Sequence, residues 1–216
     1  MSQSLHLLVC FAVREEAKFF LSHRHTLPNV RVLVTGMGAR NAGIGIQRAL
    51  TAQSADLVLT CGFAGGLNPE LPAGALVFSA DAHAGLAARL HDLGGLPVRF
   101  HCAHRVATTA NEKAELRRTT GADVVEMESQ IIRDYCREHG IPSATLRVIS
   151  DTATEDLALD FNTLMTPDMN LHFGKLAWQL VKSPGKIPAL LALQQRTNTT
   201  AKLLGEALMK LCTERS

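Results

Sequence analysis

No CxxC pair occurs anywhere in this chain, and its five cysteines, Cys10, Cys61, Cys102, Cys136 and Cys212, are odd in number and scattered. That excludes a disulfide framework. The cysteines read as small buried hydrophobes of a reducing compartment, so a cytoplasmic protein is expected. Blocks of one charge are missing too. Lys plus Arg is 22 and Asp plus Glu is 20, a formal net charge of +2. Without a basic block, nucleic acid is not the expected partner. No apolar run is long enough to span a membrane. The first one, LHLLVCFAV, also lacks a basic flank before it and meets Arg14, Glu15 and Glu16 after it, which makes it a poor signal peptide. Internal repeats, low-complexity tracts and clear linkers are absent as well. The expectation is one α/β domain over residues 1–216, with a substantial core.

What is present is a series of short apolar runs separated by helical patterns. LHLLVCFAV (5–13), VRVLVTG (30–36), DLVLTCG (56–62) and GALVFSA (74–80) read as strands, the third closed by GFAGG. REEAKFFLSH and NAGIGIQRALTAQ carry helical spacing between them. RVATTA (105–110) is predicted as a strand and NEKAELRRTT as a short helix. ADVVEME is predicted as another strand. SQIIRDYCREHG is predicted as a helix started by Ser129 and stopped by Gly140, and IPSATLRVIS as the next strand, ending at Asp151. From about residue 167 the chain reads helical, with Pro167, Pro184 and Pro188 as breaks and a last helix near 198–212. Apolar strands alternating with helices imply a mostly parallel sheet covered on both faces.

In such sheets ligands bind beyond the carboxyl ends of the strands. Those ends carry Glu16 after the first strand, the turn Gly36-Met37-Gly38 after the second, and Gly62, Phe63, Ala64 and Gly65 after the third. Glu126, Met127 and Glu128 end the ADVVEME strand, and Ser150 and Asp151 end the next. One helix joins these last two strands, so a right-handed crossover predicts them parallel, with their ends on one edge. On a strand, Glu126 and Glu128 share a face. Like charges so close need a partner. The vicinal hydroxyls of a ribose are suitable donors. Carboxylates near a sugar carbon also favour an oxocarbenium transition state. Asp151 is a candidate to protonate a purine leaving group, and Glu16 to orient or deprotonate water. Glycine turns let backbone approach a small ligand.

Other readings are structural. Arg147 shares a strand face with Asp151 by alternation and is expected to form a buried ion pair with Glu126. Arg14 and Arg40 lie near glycine turns and suit either phosphate contacts or a solvated surface. His101, Cys102 and His104 fit no standard metal spacing, so no metal is expected. Gly36 and Gly38 begin a dinucleotide-like pattern, but Asn41 stands where its last glycine is needed.

The segments FAVREEA, CGFAGGL, VVEMES and RVISD occur in the order and spacing of the purine nucleoside phosphorylase / methylthioadenosine nucleosidase superfamily, which the chain resembles over residues 5–155. The resemblance implies a three-layer αβα sandwich around a mixed sheet, in proteins that form homo-oligomers, a dimer being favoured here. It implies that Glu16 positions the attacking water. By the same likeness Glu126 and Glu128 hold the ribose hydroxyls with Met127 against the sugar, and Asp151 protonates the purine with Ser150 beside it. A small-molecule nucleoside is the implied partner. No cofactor is implied, except phosphate as co-substrate in a phosphorylase. The sequence departs from the nucleosidase pattern in three places. Phe63 replaces a serine that helps order water, Asn111 and Glu112 stand where a base-stacking aromatic is usual, and the stretch from Ser79 to Arg105 is short. The tail SPGKIPALLAL looks more like the hopanoid-associated phosphorylase branch. The expected activity is cleavage of a purine nucleoside's N-glycosidic bond by water. The alternatives are phosphorolysis, nucleoside binding without turnover and, less favoured, a nicotinamide-dependent oxidoreductase.

Overall fold

The computed structural model describes residues 5–157, 159, 161–164, 166 and 187–213. A sheet runs in the order β2-β1-β3-β8-β4-β5, with β7 paired to β3 and β6 paired to β7. The strands are β1 (Leu7–Phe11), β2 (Val30–Val34), β3 (Leu57–Gly66), β4 (Leu76–Ala80), β5 (Leu96–Pro97), β6 (Phe100–Cys102), β7 (Val124–Glu126) and β8 (Ser143–Asp151). β1 is apolar throughout, and β3 and β8 beside it are buried along most of their length, because both of their faces are covered. Leu7, Val9 and Phe11 of β1, with Leu57, Leu59 and Cys61 of β3, pack under α1 (Arg14–His23) and the long C-terminal helix α7 (Ile187–Thr213). Leu8, Cys10 and Val58 point the other way, onto α2 (Ala39–Ala52) and α5 (Ser129–Glu138). Strand alternation thus divides the core into the two outer layers of the expected sandwich.

Between α1 and α7 the helices touch at a glycine. A Cβ on Gly205 would lie 2.3 Å from Phe19 Cδ1, so only a residue without one lets the aromatic pass. The other helices are α3 (Ala87–Asp92), α4 (Ala110–Thr120) and α6 (Phe161–Leu164). Among the described residues no helix is long and apolar enough to cross a membrane.

Several expectations change. The third strand is not closed by its glycines: β3 continues through Gly66, because β8 pairs it as far as Gly65 and β7 pairs its last two residues. The predicted crossover from β7 to β8 is not parallel. β7 runs antiparallel to β3, with Gly65 opposite Val125 and Gly66 opposite Val124, whereas β8 is parallel to β3. Residues 105–110 form no strand. The Val106 N–H donates to Asn162 Oδ1 and the Thr108 and Thr109 N–H groups donate to Glu112, so side chains take the bonds a neighbouring strand would have made. The last helix begins at Ile187, and Pro188 does not break it. A proline in a helix's first turn removes an N–H that would have no partner there. The predicted breaks at Pro167 and Pro184 lie outside the described residues.

Candidate active site

The site starts from the first turn of α1. The Glu16 carboxylate takes the N–H groups of Ala12 and Val13 on Oε2 at 3.1 and 3.3 Å, capping its own helix. Oε1 accepts from the Phe63 N–H at 2.9 Å, tying α1 to the middle of β3. Glu16 is buried, 6 % exposed. Burial pushes its carboxyl above the ordinary range, against the opposing pull of Arg147 and of the three backbone donors.

The approach depends on Gly62. A Cβ there would lie 2.3 Å from Arg147 Nη1 and 2.6 Å from Glu16 Oε1. Opposite Gly62 on β8 stands Arg147, whose side chain is 1 % exposed. Its Nη2 donates to Glu126 Oε2 at 2.7 Å and lies 3.4 Å from Glu128 Oε2. The expected Arg147–Glu126 pair is therefore present. Burial alone would push the guanidinium down, but Glu126, Glu128 and Glu16 together hold it above its ordinary value. One arginine thus serves three carboxylates, the compensation that the EME pattern required.

The two glutamates of that pattern do different work. The strand ends at Glu126, and Glu128 follows a bend as the residue before α5, with φ −131° and ψ −32°. They converge through this bend and not through strand alternation. Glu126 Oε2 accepts from the N–H groups of Glu128 and Ser129 at 3.0 and 2.7 Å, and Oε1 accepts from Ser129 Oγ at 2.8 Å. Its side chain is 1 % exposed, and its bonds fix the backbone at Glu128 and Ser129. Among the described residues the Glu128 carboxylate meets the Gly38 N–H on Oε1 at 2.8 Å and the longer approach of Arg147 on Oε2. Burial raises its carboxyl to about 7, Arg147 opposing and the charges of Glu126 and Glu16 adding. Met127, between them, is buried.

Further along the same strand pair lies Asp151. Register alone would set Ser150 opposite Gly65. A bulge instead sets Asp151 there, so the alternation counted from Arg147 is broken at this point. Gly65 leaves room for it: a Cβ would come within 3.3 Å of Asp151 Oδ2. Ser150 Oγ lies 2.6 Å from Asp151 Oδ1 and 3.3 Å from the buried Ala64 carbonyl. Lys113 Nζ lies 2.6 Å from Asp151 Oδ2.

Two residues escaped the sequence reading. Lys113 sits inside a helix of charged residues with no apolar stripe to mark one face as buried, yet it is fully buried. Gly38 reads in sequence only as part of a turn; in the fold its φ of 83° aims the N–H at Glu128. Phe63 is half-buried, its ring packed on the core beneath α1. Asn111 is exposed in the first turn of α4, and Arg14 and Arg40 are exposed at the starts of α1 and α2. Among the described residues no group of three or more His, Cys, Asp or Glu side chains is placed to hold a metal, His101, Cys102 and His104 included.

The family model for the phosphorylase superfamily matches residues 10–101 and 97–182. A 5′-methylthioadenosine/S-adenosylhomocysteine nucleosidase of Anoxybacillus flavithermus is 24% identical over 192 residues, covering 73% of this chain and 82% of that protein. Futalosine hydrolase of Helicobacter pylori has the same fold, with a TM-score of 0.71 at 16% identity over 96% of this chain and 97% of the other. So has the methylthioadenosine/S-adenosylhomocysteine nucleosidase of Campylobacter jejuni, with a TM-score of 0.68 at 17% identity over 98% and 100%. With the family model spanning most of its length and the EME and SD segments folded around one strand, the chain belongs to the phosphorylase superfamily.

Proposed function

We propose that this protein hydrolyses the N-glycosidic bond of a purine nucleoside or 5′-modified nucleoside and releases the free base. One observation carries the reading. Acids from three separate segments line a single stretch of β3, Glu16 and Glu128 around Arg147 opposite Gly62, and Asp151 opposite Gly65. Their partners on β3, Gly62 and Gly65, are three residues apart, ~10 Å at the usual strand rise, which suits the length of a nucleoside. The sugar lies at the glutamate end and the base at Asp151.

In this reading Glu128 takes a ribose hydroxyl on the face not used by Gly38. Glu16 holds the nucleophilic water, and a carboxyl raised by burial is suited to share that water's proton. The developing positive charge on the sugar is favoured by the surrounding carboxylates. Asp151 directs a proton to the departing purine. The nucleosidases and the futalosine hydrolase to which the chain is similar are named for hydrolysis, and the company of three carboxylates with one buried arginine disfavours a dianion at the nucleophile's place.

The test is release of free base from adenosine, inosine, methylthioadenosine and S-adenosylhomocysteine, with and without phosphate. Release in its absence is the expected result. Release that requires phosphate makes the protein a phosphorylase, and tight binding without release in either condition makes it a nucleoside-binding protein.

A further inference from the structure

Lysine is rarely buried without a paired charge. Lys113 is 0 % exposed, and its Nζ has three acceptors: Asp151 Oδ2 at 2.6 Å, the Thr152 carbonyl at 2.8 Å and the Glu155 carbonyl at 2.8 Å. An ammonium has three N–H bonds, so each donor has one acceptor and none is left over. Its partners are the Asp151 side chain and the two carbonyls of the turn that follows it.

The clamp is part of a larger seam. The start of α4 and the segment after Asp151 are joined by Leu157 N–H to the Thr108 carbonyl at 2.8 Å and by Ala110 N–H to Asp156 Oδ1 at 2.7 Å. Lys113 is the member of this seam that reaches the site. Its contact uses Oδ2, while among the described residues Oδ1 meets the hydroxyl of Ser150. A carboxylate fixed at one oxygen presents the other.

We propose that Lys113 is the positioning residue for Asp151, fixing the carboxylate so that Oδ1 is the atom that meets the leaving base. The proposal rests on the nucleosidase reading of the site. It goes beyond that reading by assigning which oxygen acts and what holds it. A buried lysine that merely supported α4 would be needed for folding, but not for the placement of one oxygen.

The test uses Lys113→Met, which keeps the stem and removes the donors, and Lys113→Ala, which leaves room for a small amine. With a nucleoside that the wild type cleaves, Lys113→Met lowers kcat by about 10²-fold, the scale of a misplacement near 1 Å, with KM changed far less. Ethylammonium restores turnover to Lys113→Ala in a saturable way, ethanol does not, and the amine has no effect once Asp151→Asn is added. Undiminished kcat in Lys113→Met, or rescue by ethanol equal to that by the amine, overturns the role of Lys113 and leaves the nucleosidase reading intact. Absence of base release from the wild type counts against the reading itself and takes the proposal with it. If neither variant folds, nitrogen NMR of the wild-type lysines decides. A slowly exchanging ammonium signal that moves when free purine is added and is lost in Asp151→Asn is expected; one indifferent to both overturns the proposal.

Discussion

Arg147 and Glu126 meet at 2.7 Å with 1 % of each side chain exposed, and the same guanidinium reaches toward Glu128. Removing the arginine leaves up to three buried carboxylates with no counter-charge. Arg147→Met should destabilise the fold by about 3–5 kcal/mol, the scale for breaking a buried pair from one side. Urea unfolding measures it, and Glu126→Gln added to Arg147→Met should cost less than the two changes apart. Strict additivity would show that the pair is not coupled.

Glu128 links the site to pH. Its carboxyl lies at about 7 in the folded protein against an ordinary value of 4.5. The folded state therefore holds this proton more tightly than the unfolded chain does. The stabilisation is complete below the unfolded value and is lost as pH rises through about 7. Glu16, raised for the same reason, acts in the same direction. Melting temperature of the ligand-free protein should fall between roughly pH 5 and pH 8, with a smaller fall in Glu128→Gln. An unchanged slope in that variant would place the titration elsewhere.

Gly62 is predicted to tolerate no side chain. In Gly62→Ala the new methyl must displace either the Arg147 guanidinium or the Glu16 carboxylate from contacts below 3 Å. The expected cost is about 1–3 kcal/mol of stability together with a loss of turnover, since Glu16 would lose its hold on the Phe63 amide. Wild-type stability and kcat would show that the strand pair opens freely here.

Asp151→Asn separates catalysis from binding. The amide keeps the shape and can still accept from Lys113, but it cannot take up a proton and pass it to the base. Turnover should fall by about 10²–10⁴-fold, the range for a lost general acid. Near-normal kcat would remove Asp151 from the chemistry, whatever its neighbours.

Much of the site was legible because its pieces are local in sequence. Glu16 follows a buried strand directly, Asp151 ends one, and Glu126-Met127-Glu128 lies between an apolar run and a helix start, so apolar patterning placed each at a strand end. The Arg147–Glu126 pair was legible as well, since a lone arginine within β8 needs a charge to meet. The division of labour between Glu126 and Glu128 was not. It depends on a bend after β7 that turns one carboxylate onto Ser129 and the other onto Gly38.

The order of apolar segments by itself determined the layers, the central strands and the acids at their ends, because burial on two faces demands unbroken hydrophobic runs. Tertiary structure alone decided that β7 runs against β3, that a bulge at Ser150 re-aims Asp151, and that Lys113 is buried beside it. Strand direction, register and the partner of a charged side chain are set by contacts between segments distant in the chain, and local periodicity carries no record of them.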